Sequence, residues 1–184
     1  MERPQIPDSP ATPFPILLNK STVIPGFGRG SSDLGFPTAN INVKDNEVLQ
    51  NLEPGVYFGF AKLFKVSSDN TETTKVERID GKSSVELNYG HYLKTEELDV
   101  LPMVMSLGWN PYYGNNEKTC EIYIIHQFSD SFYGCHISSV ICGYLRPELN
   151  YTGVEALIND IKLDVKIGLE KLSNPNYSKC KDLL

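Results

Sequence analysis

The sequence predicts a mainly β chain, an antiparallel barrel or sandwich followed by one helix, and three observations carry that expectation. Short runs rich in Val, Ile, Tyr and Phe recur through the body, separated by Gly, Pro and Asn clusters. No long helical pattern comes between them, which argues against alternating βαβ units. A helical apolar period shows only near the C-terminal end.

The elements follow in order. Residues 1–15 hold Pro4, Pro7, Pro10, Pro13 and Pro15. Proline locks φ and removes an amide donor, so this spacing favours an extended arm. Strands are expected at residues 22–24, 56–64, 84–88, 103–107, 120–128 and 136–145. A polar insertion at about 66–101 reads as a solvated surface excursion, a lengthened hairpin remote from any chemistry. Near the end, Thr152 and Glu155 match a T-x-x-E capping box. Val154, Leu157, Ile158, Ile161, Val165, Leu169 and Leu172 then fall on one helical face, opposite Asn159, Lys162, Lys166 and Lys171. Asn174-Pro175 supplies the stop. The expectation is one domain over residues 16–174, with 175–184 as a C-terminal tail.

The 184 residues amount to about one domain, long enough to bury a core without disulfide staples. A net charge of −6 argues against non-specific nucleic-acid binding, which needs Lys and Arg against phosphates, yet it leaves room for a locally basic nucleotide site. Cys120, Cys135, Cys142 and Cys180 form no C-x-x-C pair, so reduced, buried thiols are expected rather than a zinc centre. No apolar run reaches the ~18 residues of a membrane span. The first residues lack the apolar stretch of a secretory leader. An intracellular, cytoplasmic monomer is expected, with mitochondrial or membrane association left open.

The chemistry concentrates at residues 23–40, V-I-P-G-F-G-R-G-S-S-D-L-G-F-P-T-A-N. Gly26, Gly28, Gly30 and Gly35 allow close backbone approach, and successive amides in such a loop can cradle phosphate. Arg29, Ser31 and Ser32 add donors. The string is neither a P-loop nor a G-x-G-x-x-G turn. By composition alone, phosphate binding and a plain hairpin turn both stand. Thr38 and Asn40 lie two apart, so an extended segment would present both on one side. A hydroxyl and an amide oxygen there suit a partial Mg²⁺ shell, or simply a polar pair at a strand start.

Four strings in order carry a resemblance: G-F-G-R-G-S-x-x-L-G-x-P-T-A-N; Ser106-Leu107-Gly108-Trp109-Asn110-Pro111-Tyr112-Tyr113; Glu121 to Phe128 followed by Asp130-Ser131-Phe132-Tyr133-Gly134; and Gly143-Tyr144-Leu145-Arg146-Pro147-Glu148. Over residues 16–172 the chain resembles the riboflavin kinase family, of the monofunctional eukaryotic type. The resemblance implies a six-stranded antiparallel Greek-key β-barrel with a C-terminal helix. It also implies transfer of the γ-phosphate of ATP to the 5′-hydroxyl of riboflavin, giving FMN. Mg²⁺ is the implied metal, with Zn²⁺ or Mn²⁺ left open.

Residue by residue, the resemblance makes Glu121 the catalytic general base. Its apolar neighbours support this reading, since a carboxylate in such a run needs a reason. Thr38 and Asn40 are the implied metal and nucleotide contacts. Gly26, Gly28 and Ser32 would line the phosphates, and Ile124, His126 and Tyr133 the nucleotide. His126 is not assigned acid or base work. Trp109 is either a wall of the flavin site or a packed loop residue. Arg146 is either a flavin-side residue or a structural Arg at the barrel-to-helix corner, and Leu149 lines that corner. The competing expectation is a flavin-binding carrier without catalysis on the same barrel.

Overall fold

A computed structural model describes residues 3–26, 38–66, 72–78, 81–109 and 116–184. Among them, six strands build one antiparallel sheet: β1 (Ile16–Thr22), β2 (Thr38–Ile41), β3 (Gly55–Phe64), β6 (Leu101–Trp109), β7 (Lys118–Ile124) and β8 (His136–Arg146). Their order is β1-β8-β3-β6-β7-β2. Strands β3, β6 and β7 form a meander, and β8 returns beside β3, which is the Greek-key arrangement. The sheet curls until its two edges meet through one bridge. Just past β1, the Ile24 amide donates to the Asn40 carbonyl of β2 at 2.9 Å. Two irregularities in the β3–β8 register, at Val56/Tyr57 and Phe58/Gly59, supply local bends.

Alternation divides the apolar residues into two cores. Inside the curl lie Leu18, Ile41, Tyr57, Met103, Met105, Leu107, Cys120, Ile122, Ile124, Ile137 and Ile141. On the outer face Val56, Phe58, Phe60, Val104, Tyr123, Cys142 and Leu145 pack with Leu172, Tyr177 and Cys180 of the C-terminal region. Both faces of β3 are therefore covered, and its residues are buried almost without a break. Gly59 belongs to this tight packing: a Cβ there would overlap the Val140 carbonyl oxygen of β8. Backbone cannot step aside as a side chain can, so Gly59→Ala is expected to cost about 3 kcal/mol or more. Urea unfolding midpoints against the parent chain measure it.

Several expectations need correction. The first strand begins at Ile16, not residue 22. As an edge it buries only Leu18 and leaves Leu17 exposed, so the apolar pattern is weak there. Strand β7 ends at Ile124, where the His126 amide turns back onto the Ile124 carbonyl. A short helix α1 (Glu47–Asn51), capped by the Asn46 side chain, had no sequence counterpart. The long helix α2 (Val154–Leu172) starts without the Thr152–Glu155 box; Gly153 sits at its cap with no side-chain bond. Its buried residues are Asp164, Gly168 and Leu172, whereas Val154 is 60% and Leu169 39% exposed.

Two segments outside the sheet are packed onto it. Past α2, residues 175–184 form α3 (Pro175–Ser178) and a 3-10 turn, burying Tyr177 and Cys180. The arm then lies along this region. The Tyr177 hydroxyl donates to the Pro7 carbonyl at 2.9 Å, Lys171 Nζ to the Ile6 carbonyl at 3.0 Å, and Arg3 to Asp164. The insertion contains the hairpin β4 (Thr74–Glu77) and β5 (Ser84–Leu87).

Candidate active site

Strand register assembles the site on the outer face of the sheet. Asn40 of β2 pairs with Glu121 of β7, Glu121 with Ser106 of β6, Ser106 with Val56 of β3, and Val56 with Arg146 of β8. One cross-strand row thus runs from Asn40 to Arg146. Thr38 pairs with Tyr123 one step along. In β7, Cys120, Ile122 and Ile124 enter the inner core, which turns Glu121 outward. In β2, Ala39 and Ile41 do the same for Thr38 and Asn40.

Helix α2 roofs this row. A cleft of about 260 Å³ between sheet and helix is lined by Thr38, Ser106, Glu121, Tyr123, Arg146 and Leu149, among others. A second hollow of about 90 Å³ holds Gly26 and Asn40. The Asn40 side chain lies so close to Gly26 that a Cβ there would overlap its carboxamide group. A side chain at position 26 would displace the Asn40 carboxamide from its place. Thr38 and Asn40 offer an oxygen pair on one strand face, beside a backbone stripped of its side chain. That donor set fits a hard cation such as Mg²⁺, which takes few protein ligands.

Electrostatics differ along the cleft. Arg146 is 4% exposed and bonds Asp164 with both Nε (3.0 Å) and Nη2 (2.8 Å). Asp164 also accepts from Arg3, so one buried carboxylate holds two guanidiniums. Burial pushes the Glu148 carboxyl up, opposed by a bond from the Trp109 backbone and by the charge of Arg146. The Cys120 thiol is pushed up by burial first and by the charge of Glu121 second, which keeps this thiol protonated beside the row.

The structure brings Thr38, Glu121, Arg146 and Leu149 together, with Gly26 and Asn40 adjoining. Trp109 lies at the end of β6, 47% exposed, with Lys118 Nζ 5.4 Å from its ring. Ile124 points into the inner core at 0% exposure, so only its main chain faces outward chemistry. The His126 ring packs edge-on to Phe128 at 4.9 Å. Tyr133 sits near Gly26 through a residue the sequence left unassigned. Arg78, at the end of β4, donates to the Gly26 carbonyl at 2.9 Å and to the Tyr133 hydroxyl at 3.3 Å. The insertion is therefore not remote from the candidate nucleotide residues. Gly28, Arg29 and Ser32 lie outside the described residues, as do Asn110, Pro111 and Tyr112.

Sequence reasoning assigned no role to Ser106, Tyr123, Tyr151 or Asp164, all of which line the cleft. Alternation around Glu121 was a usable signal for Tyr123. Nothing local marks Asp164, whose burial depends on Arg146.

A family model described as riboflavin kinase matches residues 15–172. The riboflavin kinase of Kluyveromyces lactis is 50% identical over 180 residues, 97% of this chain and 96% of that one. That of Saccharomyces cerevisiae is 45% identical over 182 residues, 97% of this chain and 82% of the relative. Among solved structures, riboflavin kinase from Trypanosoma brucei superposes with a TM-score of 0.61 at 23% identity, over 92% of this chain and 88% of that one. The last match speaks for the fold.

Proposed function

This chain belongs to the riboflavin kinase family, and we propose that the outer-face row is where it does that family's chemistry. It is a kinase: it moves the γ-phosphate of ATP onto the ribityl 5′-hydroxyl of riboflavin, giving FMN and ADP. The observation that carries the site is the register pairing of Asn40 with Glu121, which sets a carboxylate in the cleft wall with Thr38 and next to Asn40 of the adjoining hollow.

Glu121 takes the hydroxyl proton as the new O–P bond forms and the bond to the ADP oxygen breaks. A primary alcohol is a weak nucleophile until that proton is shared. Thr38 and Asn40 are the residues that would hold Mg²⁺, which when bound neutralises charge on the transferring phosphoryl group. Their oxygen donors favour Mg²⁺ over Zn²⁺, which prefers nitrogen and sulfur. Gly26 admits the nucleotide close to backbone, and Tyr133 offers an aromatic face. Arg146 and Leu149, with Trp109, bound the flavin side, α2 excluding water above them. Four free, buried cysteines support a reducing, intracellular setting.

The test is direct. Protein, riboflavin and MgATP are incubated and the flavins separated by chromatography. FMN and ADP in equal amounts are expected, lost on chelation and restored by Mg²⁺. Flavin bound with no FMN formed would leave only the carrier reading.

A further inference from the structure

The β4–β5 hairpin is built onto the nucleotide side of the barrel by several independent contacts. The Asn88 side chain donates to the Ser131 carbonyl at 2.6 Å, and the Tyr89 amide to the Tyr133 carbonyl at 2.9 Å. Gly134 takes φ +85°, and the Tyr89 ring lies within 2.8 Å of where a Cβ would stand. The turn carrying Tyr133 is thus fastened to the turn that follows β5. From the other strand, half-buried Arg78 crosses to Gly26 and Tyr133. Its guanidinium bonds the Gly26 carbonyl and the Tyr133 hydroxyl, 5.8 Å from the ring centroid. That distance lies within cation–π reach. Among the described residues Arg78 pairs with no carboxylate. Its guanidinium stands between the start of the Gly-rich segment and an aromatic face.

We propose that Arg78 is a positioning residue for ATP, and that the hairpin is the part of the fold that delivers it. The guanidinium ties Gly26 to Tyr133 and holds a positive charge at the edge where a polyphosphate enters. The inference rests on the reading of Gly26 and Tyr133 as nucleotide contacts. Riboflavin is neutral and belongs to the cleft under α2, so it should not sense Arg78.

Steady-state kinetics on the full chain test this. Arg78→Ala is expected to raise KM for ATP about tenfold, the worth of one hydrogen bond to a charged group. The KM for riboflavin and kcat should stay within about twofold. Arg78→Lys, which keeps the charge, should recover most of the ATP affinity, whereas Arg78→Gln should not. ADP affinity by calorimetry should follow the same order, and the wild-type advantage should shrink as salt rises. An unchanged ATP KM in Arg78→Ala, or equal rises in both KM values, overturns the proposal. A Tyr133→Leu control separates the two readings. If it leaves ADP affinity intact, the nucleotide is not at Tyr133. If it weakens ADP while Arg78→Ala does not, only the role of Arg78 fails.

Discussion

Glu121→Gln is expected to lower kcat by ~10²–10⁴-fold, the usual worth of a positioned general base, while ADP affinity stays close to that of the parent. Gln keeps the size and one acceptor oxygen of Glu but cannot take the proton. The strand around it should not move, because the residues that hold β7 in place are Cys120, Ile122 and Ile124 in the inner core, with Tyr123 packed outside. Loss of turnover would therefore report chemistry rather than folding. Single-turnover FMN formation, set beside calorimetric ADP binding, makes the measurement. A kcat within tenfold of the parent would remove Glu121 from the proton transfer, and the cleft would need another base.

Asp164→Ala is expected to destabilise the fold by about 3–5 kcal/mol, because it strands a buried Arg146 guanidinium whose partner has gone. Burial by itself disfavours the Arg146 charge, and the bonds and charge of Asp164, together with Tyr151 and Asp160, outweigh that cost. The same substitution frees Arg3, so the arm should loosen from α2 as well. At this chain length the thermal midpoint should fall by roughly ten degrees. The contrast with Leu169→Ala is informative. The apolar stripe in the sequence makes Leu169 a core position, yet it is 39% exposed, and its truncation should cost within about 0.5 kcal/mol. A Leu169→Ala change more damaging than Asp164→Ala would mean that α2 turns a different face to the sheet.

The apolar stripe of α2 holds at Leu157, Ile158, Ile161, Val165 and Leu172, which are half-buried or buried, and departs at Val154 and Leu169, which are exposed, and at Asp164, which is buried. A helical stripe finds which residues prefer to leave water, and it gives charged residues no credit. Asp164 is buried because Arg146 and Arg3, 18 and 161 positions away, meet it there. The capping box failed for a related reason: Thr152 and Glu155 have the right spacing, but the chain enters the helix through Gly153 with extended angles. The first strand was missed because an edge strand with one buried residue carries little alternation. The insertion looked remote because its composition is polar, and polarity says nothing about where a single Arg reaches.

Sequence alone determined the mainly β class, the strands β3, β5, β6 and β8 to within two residues at either end, the C-terminal helix, and the ordered motifs that mark the family. These are local properties, since side-chain alternation, helical period and turn residues act over a few positions. It also named Thr38, Asn40, Glu121 and Arg146. Only the tertiary structure decided that four strand pairings set Asn40, Glu121 and Arg146 in one row, that α2 roofs it with a buried Asp164, and that the insertion lays Arg78 against Gly26 and Tyr133. Each of these joins residues far apart in the chain. Which of many possible partners wins there depends on the burial and charge of the whole packed fold, which no window of sequence contains.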